Sequence, residues 1–236
     1  MSFEYNEIFT KEKLDLYLKE LAKEYRKLGG KNMPAEIILI GGAAIVAHYN
    51  FREMTTDIDA VIQAMSSMKE AANHLPNNWI NDDFKKTTSY SPKLSQYSVY
   101  YKSFYGVLSV RVISAEYLIA MKLKAGRQYK KDLSDIAGIL VEHASRGNPI
   151  EQEQIITAII NLYGTTEAIS NDAMQFLAHI LQEENYKDVY ETVLKEEAAN
   201  RELLLDFQEV YPNTVRQENA DNIIALLREK KQQGPE

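Results

Sequence analysis

The chain contains no cysteine, which removes disulfides, thiolate zinc sites and cysteine nucleophiles together and fits a reducing compartment. Histidine is scarce as well, and the four residues His48, His74, His143 and His179 show no metal-ligand spacing. No apolar run approaches the ~20 residues of a membrane span. The first dozen residues are already charged, unlike a secretory leader. A soluble cytoplasmic protein is the expectation. A global excess of positive charge is also missing: the formal net charge is −7, which argues against a chain that binds nucleic acid over its whole surface. The distribution is nevertheless uneven, because Lys85 to Lys131 carries ten Lys or Arg residues against the single acid Glu116. That stretch also holds Tyr90, Tyr97, Tyr100, Tyr101, Phe104, Tyr105, Tyr117 and Tyr129. Phosphate contacts and base stacking are both chemically available there, as is a plain solvated sheet face bearing cross-strand tyrosines.

With 236 residues and 45% apolar content, the chain can bury one good core or two small ones. Two parts are expected, a mixed α+β part over residues 1–147 and a helical part over 148–236. Thr10 can cap a helix to Leu28, ended by Gly29-Gly30. Met65 to His74 reads as another helix, while residues 79–94 show no periodicity. Gln96–Phe104 and Val107–Ile113 read as an antiparallel pair turning at Tyr105-Gly106. Ser114 caps a helix to about Ala125, and a further helix runs from about Lys131 to Ser145. From Pro149 onward the composition is that of helix formers.

The stretch that organises the chain is Ile37-Ile-Leu-Ile-Gly-Gly-Ala-Ala44, followed by Arg52-Glu-Met-Thr-Thr-Asp-Ile-Asp59. An uninterrupted apolar run between Pro34 and Gly41-Gly42 reads as a strand buried on both faces. A helix then opens at the glycines, presenting the unpaired N–H groups of its first turn beside the strand end, a place for phosphate. In the next strand the period of two puts Asp57 and Asp59 on one face, ~6.5–7 Å apart at Cα. Same-face carboxylates repel each other, and a cation relieves the conflict. Such pairs share Mg²⁺ ions in two-metal phosphoryl or nucleotidyl transfer. The competing readings are an ordinary strand-to-helix turn and a pair of exposed strand acids.

Arg52 and Thr55 either steady the loop leading into Asp57 or are plain polar loop residues. Lys122 lies inside the apolar arc of its helix with Leu118, Ile119 and Met121. A buried ammonium needs an anion, and Asp132 and Asp135 on the next helix are available; snorkelling along the apolar face is the other course.

At these residues the chain resembles the polymerase-β-like nucleotidyltransferase superfamily, in particular the small bacterial branch that includes abortive-infection and toxin–antitoxin toxins. The match is Gly41-Gly42, Arg52, Thr55 and Asp57-x-Asp59, then Leu118-Ile-Ala-Met-Lys122-Leu-Lys-Ala-Gly-Arg127 followed by Lys131-Asp132-Leu-Ser-Asp135. It covers roughly residues 35 to 142. The resemblance implies a nucleotidyltransferase-type mixed β-sheet flanked by helices over residues 1–147, with the all-helical region after it. It also implies an NTP substrate, Mg²⁺ on Asp57 and Asp59, and Gly41, Gly42, Arg52, Thr55 and Lys122 around the nucleotide. An RNA or protein acceptor and an antitoxin-like protein partner follow from the same resemblance. For Lys122, nucleotide phosphate therefore stands beside Asp132 and Asp135 as the anion. One departure matters. Active members carry a third carboxylate on a later strand, where Leu108–Ile113 presents Arg111. A catalytically degenerate module for nucleotide binding or protein interaction is therefore the alternative. A third acid beside Asp57 and Asp59 would favour the enzyme, and Arg111 paired to them would favour the module.

Overall fold

The computed structural model describes residues 8–63, 66–75, 80–82, 93–183 and 185–233. Among them the element order is α1 (Lys11–Tyr25), β1 (Ala35–Leu39), α2 (Gly41–His48), β2 (Ile58–Gln63), α3 (Ser66–Asn73), β3 (Ile80–Asp82), β4 (Ser98–Phe104) and β5 (Leu108–Ile113). The helices α4 (Ala115–Ala125), α5 (Asp132–Ser145), α6 (Gln152–Tyr163), α7 (Asn171–Gln182), α8 (Tyr186–Val210) and α9 (Ala220–Gln233) follow. The fold is α+β, with a mixed sheet, flanking helices and C-terminal helices. No described helix is long and apolar enough to cross a membrane.

The five strands lie in the order β3-β2-β1-β5-β4. β1 is central, antiparallel to β2 and parallel to β5. Its residues Ile37 and Leu39 share one face with Ile62 and Ala60 of β2 and with Val110 and Val112 of β5. The other face carries Ile38, Val61 and Ile113, also buried, with Glu36, Asp59 and Arg111 among them. This two-sided burial is why the sequence of β1 is apolar without alternation. The β4–β5 hairpin turns at Tyr105 (φ 53°) and Gly106 (φ 66°). Two successive left-handed residues match the right-handed twist of the strands they join.

Thr10 caps α1, its hydroxyl accepting from the Lys13 N–H at 3.5 Å. The helix widens into a π turn over Arg26–Gly30, with Gly29 at φ 97°. β3 is a departure from the sequence reading, which left residues 79–94 without structure. Its three residues pair parallel with β2, too short a run to carry a period of two. Lys85, Lys86 and Tyr90 lie outside the described residues.

Two compact units divide the chain. One takes the described residues up to Met121 together with 150–166, and the other takes Lys122–Pro149 together with the chain from Glu167 onward. Composition draws a single break at residue 148, because it registers helix content but not which layer a helix covers. In the second unit α8 buries Val193, Glu197, Asn200 and Leu204 as one stripe, and Leu204 forms a small core with Ala220 and Ile224.

Glu197 uses its place in that stripe to close the N-terminus of α5. It accepts from the N–H groups of Leu133 (2.9 Å) and Ser134 (3.2 Å) and from the Ser134 hydroxyl. Burial pushes its carboxyl from 4.5 up to about 7, against the lowering by these donors and with a further raising by Asp135. The folded state therefore holds this proton more tightly than the unfolded chain does. The associated stability is fully present below the unfolded value of 4.5 and is lost as pH rises through about 7. Over that window it amounts to about 3 kcal/mol. Glu197→Gln keeps acceptor and shape without the proton, so the difference in urea-unfolding stability between mutant and wild type should grow in the mutant's favour between pH 5 and pH 8. A pH-independent difference would contradict this titration.

Candidate active site

The loop between α2 and β2 is assembled on backbone hydrogen bonds from the N-terminal segment. Phe9 N–H donates to the Thr55 carbonyl (2.8 Å) and Thr55 N–H to the Phe9 carbonyl (3.0 Å). Phe9 is itself buried and packs edge-on against Tyr17, ring centroids 6.1 Å apart. Thr55, 2% exposed, then donates from Oγ1 to Asp57 Oδ1 at 3.2 Å. Arg52 Nε closes the same loop on the Met54 carbonyl at 3.0 Å. Thr55 and Arg52 steady the loop into Asp57, as one sequence reading has it. Phe9 was missed, since only an apolar pair before Thr10 marks it in the sequence.

The glycines face these residues directly. Gly41 has φ +57°, and a Cβ there would stand 2.6 Å from Asp59 Oδ2. A Cβ on Gly42 would stand 2.4 Å from Thr55 Oγ1 and 2.9 Å from an Arg52 guanidinium nitrogen. The structure thus brings Gly41, Gly42, Arg52, Thr55, Asp57 and Asp59 into one place at the C-terminal end of β1. Ile40, the residue before α2, offers no side-chain cap, so a ligand can take the first-turn N–H groups and their partial positive charge. Asp57 and Asp59 are half-buried, oxygen donors of the hard type that suits Mg²⁺.

The third carboxylate is not on β5. Continuing the register by one residue sets Ile40 opposite Asp59, with Ile40 N–H bonded to the Asp59 carbonyl at 2.9 Å. The same step sets Ile40 beside Ile113. The position level with Asp59 on the same face is therefore Ile113, 2% exposed, and not Arg111 as the sequence reading had it. Arg111 lies two residues back, where Nε donates to Ser98 Oγ (2.7 Å) and Nη2 to the Ser98 carbonyl, with Glu36 4.0 Å away. It pairs with neither aspartate. Among the described residues no group of three or more His, Asp or Glu side chains is placed to hold a metal ion.

Lys122 belongs to the second unit. Its ammonium lies 2.9 Å from Asp132 and 2.8 Å from Asp135, and Arg127 makes a two-pronged contact with Asp132. Burial alone would raise the Asp132 carboxyl; Lys122 and Arg127 outweigh it and hold it below the usual carboxylate range. Of the two partners open to Lys122 in the sequence, the carboxylates of α5 are present.

A mixed sheet whose central strand runs through two glycines into a helix beside two strand aspartates defines a nucleotidyltransferase-like protein. Residues 17–199 match the family described as nucleotidyltransferase of unknown function (DUF6036), and the chain belongs to that family. No curated protein and no solved structure matches it.

Three substitutions, one of them a control, probe these contacts. Gly41→Ala should cost about 1–2 kcal/mol through left-handed strain and also displace Asp59. Gly29→Ala, at φ +97° with nothing within 4 Å, supplies the strain alone. Only Gly41→Ala should lose NTP affinity on titration calorimetry, and equal affinities in the two mutants would detach Gly41 from the site. Lys122→Met leaves buried carboxylates undercompensated and should lower unfolding stability by about 3–5 kcal/mol. A melting temperature equal to wild type would show the pair to be dispensable.

Proposed function

We propose that this protein is a metal-dependent nucleotidyltransferase that moves a nucleoside monophosphate from an NTP to a hydroxyl of RNA or protein, releasing pyrophosphate. The observation that carries the reading is the mutual contact of Gly41 with Asp59 and of Gly42 with Thr55 and Arg52. In it, the α2 N-terminus and the Arg52 guanidinium would face the triphosphate, and the absent Cβ atoms let Asp59, Thr55 and Arg52 close up against that N-terminus. Asp57 and Asp59 would hold Mg²⁺, which supplies activation of the attacking oxygen and neutralisation of the leaving one. Thr55 fixes the rotamer of Asp57 by its hydrogen bond, and Phe9 fixes Thr55. A cytoplasmic location and a toxin–antitoxin or phage-defence setting with an antitoxin-like partner rest on the family resemblance and the absence of cysteine alone.

A second reading has one observation in its favour. The β5 position level with Asp59 is an apolar isoleucine, so a nucleotide-binding module without transfer activity fits the same cradle. Incubation with each labelled NTP, Mg²⁺ and a mixture of total RNA and protein separates the two, since only the enzyme moves label into macromolecules. For the site itself, Asp57→Asn combined with Asp59→Asn should abolish Mg²⁺-dependent NTP binding while leaving the melting temperature equal or slightly higher, because like-charge repulsion is removed. Unchanged Mg²⁺-NTP affinity in that double mutant would refute the assignment.

A further inference from the structure

The segment that joins α4 to α5 is held down by side chains of the α8–α9 pair at three points, all within one compact unit. Asn200 Nδ2 donates to the Gln128 carbonyl (2.8 Å), and Asp221 of α9 accepts from the Gln128 N–H (3.1 Å). Glu197 takes the N–H groups of Leu133 and Ser134 and the Ser134 hydroxyl. Gln128 is thus gripped by both of its backbone polar groups, and two first-turn N–H groups of α5 are satisfied from another helix. Apolar anchoring of the segment is slight by comparison. Tyr129 packs, partly buried, against Leu204, Ala220 and Ile224, and Leu133 is only half-buried. A stretch held by polar grips with little apolar burial belongs to the easily opened parts of a fold.

Two features make the grip conditional. The first is charge. The same turn of α5 carries Asp132 and Asp135, 0% and 2% exposed, which pair with Lys122 and Arg127. With its proton on, Glu197 adds nothing to this set of two cations and two carboxylates; without it, a third negative charge is buried near Asp135. The other charges close by in sequence give no buried cation to offset it, since Glu196 and Arg201 of α8 and Lys130 and Lys131 of the segment are exposed and Asp221 is an acid. The second feature is Asn200, which is buried while its Oδ1 has no hydrogen-bond partner. A buried acceptor left unsatisfied is a standing cost that water would remove once the segment lifted.

We propose that residues 127–134 form a pH-released strap, held against α8 and α9 while Glu197 is neutral and let go locally when Glu197 ionises, with the remainder of α5 staying folded. Lifting the strap admits water to Glu197 and to Asn200 Oδ1. Arg127 and Asp132 travel together on it, and Lys122 keeps Asp135. The direction follows from the carboxyl that burial raises from 4.5 to about 7: the strap is fully held below 4.5 and loosens as pH rises through about 7. Tyr129, whose hydroxyl burial pushes above its usual 10, stays neutral throughout.

The test is amide hydrogen exchange of the full chain at pH 5 and pH 8, read residue by residue by NMR and corrected for the intrinsic base-catalysed rate. Protection of the Gln128, Leu133 and Ser134 amides should fall by about tenfold or more between the two pH values, while that of Ile139 and Leu140, further along α5, should not change. In Glu197→Gln, which carries no charge at either pH, protection of the three amides should be the same at both. Equal protection at pH 5 and pH 8 in wild type overturns the strap. A fall shared by Ile139 and Leu140 also overturns it, being the pattern of unfolding of the whole unit, and a fall that persists in Glu197→Gln assigns the titration to another group and overturns it too. Should Glu197→Gln not fold, the wild-type comparison of strap and helix amides decides alone.

Discussion

Two backbone hydrogen bonds between Phe9 and Thr55 are the constraint on which the candidate site depends. The loop from Asn50 to Asp57 has no secondary structure of its own to hold it. Left to itself it would pay the conformational entropy of ordering several residues with little burial in return. Phe9 offsets that cost from outside the loop, by burying its ring against Tyr17 and offering both of its backbone polar groups to Thr55. Thr55 is consequently buried and oriented, and its hydroxyl reaches Asp57. The carboxylate geometry thus originates in a segment nearly fifty residues upstream, before the first helix.

This explains what was legible in the sequence and what was not. Local features were readable because local physics writes them. The unbroken apolar run of β1, the helix opening at Gly41-Gly42, the alternation placing Asp59 away from Ile58, and the Tyr105-Gly106 turn all follow from steric or burial rules over a few residues. The Phe9–Thr55 bridge has no such signature, because a backbone pairing of two residues far apart leaves no pattern in side chains. β3 was unreadable for a related reason: three residues cannot display a period. The assignment of residues 150–166 to the sheet-bearing unit was hidden too, since α6 has the same amphipathic pattern whichever layer it covers.

Lys122 shows the boundary between the two kinds of knowledge. Its place in an apolar arc called for an anion or for snorkelling along that face, since an unpaired buried ammonium is too costly to persist. The arc did not say which anion. Asp132 and Asp135 are the first and fourth residues of α5 and reach Lys122 only once the loop at Gly126 is folded, and Arg127 shares Asp132 with it. The need was local and the answer tertiary. Glu197 makes the same point more strongly: nothing in α8 distinguishes it from its neighbours Glu196 and Glu202 except a helical stripe that also buries Val193 and Leu204.

The charge balance on the sheet face is where sequence and structure together constrain the chemistry most. Two carboxylates, Asp57 and Asp59, stand at one end, with the Arg52 guanidinium beside the glycines. A third acid level with them would have added a negative charge and an oxygen ligand, and Ile113 adds neither. A metal ion held by Asp57 and Asp59 would have to complete its shell without a third protein carboxylate, which suits Mg²⁺ because it retains water in most sites. On β5 that side of the face is apolar and buried at Ile113, 2% exposed, so it offers a second metal ion no protein ligand.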